Sequence, residues 1–120
     1  MEFDDWRNDW DTNDNHVSVL TNGLMNDLDP QTPYGQVNCQ PSTGQFGCMN
    51  NGHVWSVWID YNGRNLNVAV ADNSIHRPEN LISYPIDIPA ILGTGTPYIG
   101  FTAGTGYGYQ DHFVFNWRGL

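Results

Sequence analysis

Side chains of the types that bind metals are concentrated at the start of the chain. Glu2, Asp4, Asn8 and Asp11 carry oxygen ligands, and the imidazole of His16 follows them. Several oxygen ligands suit a hard cation such as Ca²⁺, whereas a histidine together with carboxylates suits a transition metal. The segment therefore predicts two different metal sites side by side.

Two tryptophans, Trp6 and Trp10, lie inside the same acidic segment. Carboxylates, an amide and an indole around an ion also suit a sugar, because polar groups fix the hydroxyls while an aromatic face covers the apolar side of the ring. The competing interpretation is that clustered acidic residues form a solvated face.

The charge balance limits the classes of partner. The chain has 120 residues, enough for a single domain spanning 1–120, and its 13 acidic residues against 4 basic ones give a net charge of −9. Such a chain repels phosphate backbones and anionic lipid surfaces, so we expect neither nucleic acid nor an anionic membrane as a partner. The sequence has no apolar run long enough to cross a bilayer, so we expect no membrane insertion.

Two short strands would bring the candidate ligands together. Side chains alternate along a strand, so Met1–Asp5 places Glu2 and Asp4 on one face. The strand His16–Leu20 places His16 on the face opposite its valines. If the intervening loop returns this second strand beside the first, His16 meets the two carboxylates.

The rest of the chain reads as short strands separated by Gly- and Pro-rich turns. Val54–Tyr61 and Asn65–Ala71 flank Asn62-Gly63, which is a strong hairpin signal. Pro89–Leu92 is predicted as one helical turn. Further strands are predicted at Tyr34–Asn38, Ser83–Ile88, Tyr98–Ala103 and His112–Trp117. The pattern predicts an all-β fold, a β-sandwich of jelly-roll type.

The two cysteines, Cys39 and Cys48, are separated by a loop-like segment containing Pro41, Gly44 and Gly47. In an oxidising compartment a single disulfide closing this loop is favoured, with two free thiols as the alternative.

These motifs, in this order, resemble the L-type (legume-type) lectins, and most of all their secreted bacterial members. The family has a Glu-hydrophobic-Asp strand followed by an aromatic residue, an Asn, an Asp and a His. The matching residues here are Glu2-Phe3-Asp4, Trp6, Asn8, Asp11 and His16. The stretches Trp58–Gly63, Leu66–Val68, Tyr98–Gly106 and His112–Trp117 resemble later family motifs.

The resemblance implies a metal-dependent carbohydrate-binding module with a concanavalin-like fold. It implies that Ca²⁺ is held by Asp4, the Trp6 carbonyl, Asn8 and Asp11. A second ion, Mn²⁺ or another transition metal, would be held by Glu2, Asp4, Asp11 and His16. A glycan would contact Trp6, Asn8, Thr105, Gly106, Tyr107 and Tyr109.

The resemblance covers the whole chain but only the C-terminal half of the family domain. It therefore implies a sandwich that is incomplete in one chain and is completed by a second copy or by a complementary N-terminal half. It also implies an extracellular, secreted protein.

Two other functions compete with sugar binding. One is a structural, self-assembling extracellular protein, an oligomer or fibre subunit, because uncovered strand edges pair with other chains. The other is a glycoside hydrolase, which shares the fold and uses two carboxylates on one strand. Here Arg7 stands where the second of those carboxylates would lie, and an arginine cannot protonate a glycosidic oxygen. We therefore predict that the chain is not an enzyme.

Overall fold

The residues that the structure describes fold into two antiparallel three-stranded sheets with one short α-helix. The computed structural model describes residues 1–24, 26, 28–37 and 48–119. The strands are β1 (Glu2–Asp4), β2 (His16–Ser18), β3 (Tyr34–Gln36), β4 (Trp55–Tyr61), β5 (Asn65–Asp72) and β6 (Ile82–Pro85). A 3-10 turn spans Cys48–Asn50, and helix α1 spans Ile88–Leu92. The predicted all-β class is confirmed at this level.

The first sheet, in the order β1-β2-β3, fixes the register of the acidic segment. Asp4 lies opposite His16, and Glu2 lies opposite Ser18. The second strand therefore returns beside the first, which is the condition under which His16 was expected to meet the two carboxylates. Because side chains alternate along each strand, Glu2, Asp4 and His16 share one face of this sheet.

The second sheet is built on the predicted hairpin. β4 and β5 pair over seven residue pairs from Trp55–Asp72 to Tyr61–Leu66, and β6 pairs with β5. In the turn, Gly63 has a φ of 88°, which a side chain would disfavour. The side-chain oxygen of Asn62 accepts bonds from the backbone N–H groups of Arg64 at 3.0 Å and Asn65 at 2.8 Å. The Asn-Gly pair therefore sets the turn, as its sequence predicts.

The hydrophobic core lies between the two sheets. Val17 and Val19, on and just after β2, pack with Leu66 and Val68 of β5 and with Ile82 of β6. Val17 and Val68 are both 0% exposed. β2 is thus buried on both faces, with the core on one side and His16 on the other.

Helix α1 confirms the predicted helical turn. Asp87 caps its N-terminus by accepting a bond from the Ala90 N–H at 3.0 Å, and Pro89 occupies its first turn. Gly93 ends the helix in the left-handed conformation, with a φ of 66°. In the part of the chain that the structure describes, no helix has the length and apolar character of a membrane span.

The prediction of strands at Tyr98–Ala103 and His112–Trp117 is wrong for this chain. Both segments run without strand pairing, and Ile99 is 72% exposed while Phe115 is 76% exposed. A strand needs a neighbour for its backbone N–H and C=O groups, and neither segment pairs with a strand of the two described sheets. The alternation of apolar residues that predicted strands is present in both segments, but no ladder of backbone hydrogen bonds forms.

The Cys39–Cys48 disulfide prediction lies outside the described residues, because Cys39 is not among them.

The contact between the sheets yields a stability prediction at Gly35 of β3. A Cβ added there would lie 2.6 Å from Leu81 Cγ and 3.1 Å from the Leu81 carbonyl oxygen, so the second sheet would have to shift. We expect Gly35→Ala to lower the free energy of unfolding by about 1–3 kcal/mol, the usual cost of overpacking. Urea denaturation followed by circular dichroism measures the loss.

Gly95→Ala is the matched control, because no atom lies within 4 Å of a Cβ built at that position. Its unfolding free energy should stay within about 0.5 kcal/mol of the parent. Equal stability of the two variants would contradict the close sheet-to-sheet contact at Gly35.

Candidate metal centre

Three of the predicted metal ligands meet on the outer face of the first sheet. One ligand atom from each of Glu2, Asp4 and His16 lies within 4.8 Å of the other two. His16 is 0% exposed, and both carboxylates are partly buried. Two carboxylates and an imidazole at this spacing are a donor set suited to a divalent transition metal.

The imidazole of His16 is held in a defined orientation. Its Nδ1 lies 3.0 Å from the Asn13 carbonyl oxygen, which can only accept, so Nδ1 carries the proton when the ring is neutral. Nε2 is then the nitrogen with a lone pair, which is the state that a metal ligand requires. The ring also lies 5.5 Å from the ring of Tyr34, at 45°. Contacts of this kind, made to a ligand side chain by its neighbours, fix its orientation before an ion binds.

The surroundings of Asp4 disfavour its charged form. Burial raises the pKa of this carboxyl, and the negative charges of Asp11 and Asp5 raise it further. The Trp6 N–H, which donates to Asp4 Oδ1 at 2.7 Å, and the nearby His16 oppose the rise without reversing it. A divalent cation would remove the repulsion among these carboxylates, so the donor set fits a cation electrostatically.

Asn8 and Asp11 form a tight turn beside this cluster. The Asn8 N–H donates to Asp11 Oδ2 at 2.5 Å, and the Asp11 N–H donates to the Asn8 carbonyl oxygen at 3.2 Å. Asp11 is only 4% exposed. The described three-residue cluster does not include Asp11, but its charge acts on Asp4. The turn therefore gathers further oxygen donors next to the cluster.

The ring of Trp6 joins the acidic segment to the glycine-rich loop 104–110. The Trp6 ring lies 6.2 Å from the ring of Tyr107, centroid to centroid, at 49°. Gly108 approaches the indole so closely that a Cβ there would lie 2.9 Å from Trp6 Cε3. Trp6 and this loop, both expected to line the sugar site, are therefore in direct contact in the structure.

The other predicted sugar contacts are spread along the same loop. Thr105, Gly106 and Tyr109 are exposed, and Tyr109 is 88% exposed. The Gly106 N–H donates to the Gly108 carbonyl oxygen at 3.0 Å, which folds the loop tip back on itself. The structure thus brings Tyr107 to Trp6, and among the described contacts it does not bring Thr105 or Tyr109 there.

Two participants were missed in the sequence. Asn13 positions His16 through its backbone carbonyl. A contact made by the main chain leaves no pattern of side chains in the sequence by which it could be predicted. Gly108 makes the close approach to Trp6, and its place between two tyrosines gave the only available signal.

Comparison with known proteins identifies the family. The family model described as "Legume lectin domain" matches residues 1–118. A probable L-type lectin-domain containing receptor kinase, VII.2, of Arabidopsis thaliana is 35% identical over 98% of this chain. Another from the same plant, IV.3, is 32% identical over 97%, and SIT2 of Oryza sativa subsp. japonica is 31% identical over 89%.

The chain spans about a sixth of the length of these relatives, with 16–17% of each covered. They are plant receptor kinases rather than the secreted bacterial proteins that the sequence suggested, so that expectation is corrected. No solved structure matches the chain.

The raised pKa of Asp4 predicts how metal-free stability depends on pH. The folded state holds the Asp4 proton more tightly than the unfolded state, whose carboxyl has a pKa of about 3.9. The free energy of unfolding should therefore fall as the pH rises from about 3.9 through the higher folded value. Asp4→Asn should remove this component and make the chelator-treated protein more stable at neutral pH.

Urea denaturation in chelator between pH 3.5 and 7 measures this difference. Asp14→Asn is the control, because Asp14 is exposed on the same loop and should leave the pH profile unchanged. If the unfolding free energy of Asp4→Asn changes with pH in the same way as that of the parent, the buried charge of Asp4 does not destabilise the fold.

Proposed function

Because the chain belongs to the legume lectin family, we propose that it is a metal-dependent carbohydrate-binding module rather than an enzyme. One observation carries the proposal: Trp6 is shared by both halves of the candidate site. Its backbone N–H bonds to Asp4 in the acidic cluster, and its ring meets Tyr107 and Gly108 of the opposing loop. A cation site and an aromatic sugar surface would therefore be joined through this one residue.

The proposed metal ligands are those that the resemblance to the lectin family implies. Asp4, the Trp6 carbonyl, Asn8 and Asp11 would hold Ca²⁺. Glu2, Asp4, Asp11 and His16 would hold Mn²⁺ or another transition metal. The convergence of Glu2, Asp4 and His16 within 4.8 Å supports the second site, and the Asn8–Asp11 turn supports the first. The ions would supply charge compensation and rigidity, and no covalent chemistry.

The proposed sugar site lies between the acidic segment and loop 104–110. The Trp6 indole and Tyr107 present apolar surface, and the Asn8 amide offers both a donor and an acceptor to hydroxyl groups. Thr105, Gly106 and Tyr109 lie along the same loop. Aromatic and amide groups in this arrangement suit a pyranose, which has an apolar face and polar edges.

We also propose an extracellular location, in line with a lectin domain in relatives named as receptor kinases. The family match is to the lectin domain, so kinase activity is not carried over to this chain. The strong negative charge argues against nucleic acid as a partner.

The metal assignment predicts different losses for ligands of different ions. Asp4→Asn should lower the affinities for Ca²⁺ and Mn²⁺ together by more than about a hundredfold, since losing even a group that only orients a metal ligand costs about 10–100-fold. Glu2→Gln should weaken Mn²⁺ and leave Ca²⁺ close to the parent value. Isothermal titration of chelator-treated protein with each ion measures both affinities.

Asp14→Asn should bind both ions as the parent does, because it changes one exposed charge on the same loop. In the parent, metal at a hundred times its Kd should also add about 2.7 kcal/mol to the free energy of unfolding. If chelator leaves the melting temperature of the parent unchanged and neither ion gives a heat of binding, the acidic segment is a solvated face and not a metal site.

The sugar assignment predicts that Trp6→Ala strongly lowers the affinity for glycans while both ions still bind. The side chain supplies apolar surface, whereas its contact to Ca²⁺ would be the backbone carbonyl. The loss should be at least about tenfold, the equivalent of one aromatic contact. Binding of metal-loaded protein to a glycan array, with multivalent display to raise avidity, is the measurement.

Trp10→Ala is the matched control, since Trp10 lies in the same acidic segment and is 46% exposed. It should retain binding. Binding that survives Trp6→Ala would place the sugar elsewhere on the molecule.

A second function is favoured by the uncovered apolar surface. Val57 and Ile59 on β4, an edge strand of its sheet, are 40% and 47% exposed, and the unpaired segments Tyr98–Ala103 and His112–Trp117 expose aromatic residues. Exposed strand edges pair with other chains. The alternative is therefore a self-assembling extracellular subunit, completed by a second copy or by a complementary N-terminal half. Absence of glycan binding at any valency, with concentration-dependent light scattering, would favour it.

A further inference from the structure

The chain contains three Asn-Gly pairs, Asn22-Gly23, Asn51-Gly52 and Asn62-Gly63. Asparagine is a heat-labile residue, because the main-chain nitrogen of the next residue can attack its side-chain amide. Glycine in the next position favours this attack, since it has no Cβ to hinder the approach. The sequence alone gives no reason for one of the three pairs to react before the others.

The glycines of the three pairs are equivalent in the structure. Gly23, Gly52 and Gly63 all have a positive φ, of 71°, 77° and 88° respectively. No atom lies within 4 Å of a Cβ built on any of them. The glycines therefore do not distinguish the pairs, and any difference has to arise at the asparagines.

The side chain of Asn51 is held by three hydrogen bonds. Its Oδ1 accepts from the backbone N–H of His53 at 2.9 Å and from the indole N–H of Trp55 at 3.2 Å. Its Nδ2 donates to Asp72 Oδ2 at 2.9 Å, and Nδ1 of His53 lies 2.7 Å from the other oxygen of Asp72. The amide of Asn51 therefore has to leave three partners before its carbon can reach the nitrogen of Gly52.

The side chain of Asn62 is held by two hydrogen bonds, although the residue is exposed. Its Oδ1 accepts from the backbone N–H groups of Arg64 at 3.0 Å and Asn65 at 2.8 Å. Both bonds hold the amide over the turn. Movement of the Asn62 side-chain carbon toward the nitrogen of Gly63 would break them.

The side chain of Asn22 differs from both. It is exposed, and within residues 1–24, 26, 28–37 and 48–119 it makes no hydrogen bond. The main chain does not separate Asn22 from Asn62, because one bond closes each turn. The Leu24 N–H donates to the Thr21 carbonyl oxygen at 3.1 Å, and the Asn62 N–H donates to the Asn65 carbonyl oxygen at 3.3 Å. The amide of Asn22 is therefore the one that reacts without losing a partner.

We infer that Asn22 is a site of spontaneous deamidation, and that the hydrogen bonds of Asn62 and Asn51 protect those two residues from the same reaction. The main-chain nitrogen of Gly23 forms a bond to Cγ of Asn22, which closes a five-membered succinimide ring. The bond from Cγ to Nδ2 breaks, and this nitrogen leaves as ammonia together with the proton lost by Gly23.

Water completes the modification at position 22. It adds to one of the two carbonyl carbons of the succinimide, and the bond from that carbon to the ring nitrogen breaks. Opening at Cγ leaves an aspartate, and opening at the main-chain carbon leaves an isoaspartate. This modification depends on neither sugar binding nor metal binding.

Both products change the connection between β2 and β3. Each adds a carboxylate to a chain whose net charge is already −9. In the isoaspartate the main chain runs through Cβ and Cγ and is longer by one atom. The bond between the Leu24 N–H and the Thr21 carbonyl oxygen therefore loses its geometry. The protein should accumulate these two forms with age.

The test is incubation of the intact folded chain at mildly alkaline pH, followed by digestion at acidic pH and mass spectrometry of the peptides that contain each pair. Incubation in H₂¹⁸O marks the water that enters, and electron-based fragmentation distinguishes aspartate from isoaspartate. A parallel sample in guanidinium chloride gives the rate of each pair without structure. The ratio of the folded rate to the unfolded rate then measures the effect of the fold alone.

The hydrogen bonds set the expected order of these ratios. Each bond that has to break should slow the reaction about fivefold. The ratio for Asn62 should therefore be about thirtyfold lower than that for Asn22, and the ratio for Asn51 at least about a hundredfold lower. A ratio for Asn22 no higher than those for Asn62 and Asn51 would overturn the inference.

Two variants test the protection of Asn51 directly. Trp55→Phe removes a donor to its Oδ1, and Asp72→Ala removes the acceptor of its Nδ2. Each should speed the deamidation of Asn51 about fivefold and leave the rate at Asn62 unchanged. An unchanged rate at Asn51 in both variants would overturn protection by hydrogen bonds. If a variant unfolds, the rate at Asn62 rises as well, and the order of the ratios in the parent chain decides.

Asn22→Gln is the control for the assignment of the site. A glutamine in this position would have to close a six-membered ring, which forms far more slowly. The variant should lose the modification at position 22 and keep the parent rates at Asn51 and Asn62. Uptake of ¹⁸O in the same peptide of Asn22→Gln, at the parent rate, would place the reaction at another residue and overturn the inference.

Discussion

The pairing of β1 with β2, which sets Asp4 opposite His16, is the constraint on which the site depends. Side chains alternate, so a slip of one residue in this register would turn His16 to the opposite face from Glu2 and Asp4. The core resists such a slip. Val17, between His16 and Ser18, is fully buried against the second sheet and can face only one way. Hydrophobic packing on one side of β2 thus fixes the ligand geometry on the other.

The same burial makes the acidic cluster costly without a cation. Asp4 is held where its charge is disfavoured, and Asp11 is almost wholly buried beside it. Folding alone gains little from collecting carboxylates in this way, since like charges oppose one another. The arrangement is physically reasonable as a site prepared for a positive charge. An ion would relieve the repulsion among the carboxylates, and this relief would add to its affinity.

How far the sequence predicted the structure depends on the kind of interaction. The Asn62-Gly63 turn and the α1 cap are local, so the residues that make them are sufficient to predict them. The meeting of Glu2, Asp4 and His16 required only two alternating strands and a loop between them. The C-terminal strands failed because strand formation depends on a neighbour, and alternation in one segment carries no information about the other.

Gly108 shows a second limit. Its contact with Trp6 joins positions about a hundred residues apart, and a glycine in a glycine-rich loop has no pattern that identifies its partner. The legume lectin motifs predicted that the loop and Trp6 would share a site. They did not indicate which loop residue would make the contact. Only the geometry of the structure gives that information, because the contact depends on the absence of a side chain at Gly108.

The two halves of the candidate site also differ in how firmly they are held. The acidic segment is held by a paired strand and by the core. Loop 104–110 lies between two segments that form no strand, and it contacts the acidic segment at Trp6. Binding groups on a rigid scaffold lose little entropy when a ligand arrives, and groups on a loop lose more. Metal binding should therefore tolerate changes in the loop, while sugar selectivity should vary with them. Under the proposed function, a few loop residues would change the glycan preference without disturbing the ions.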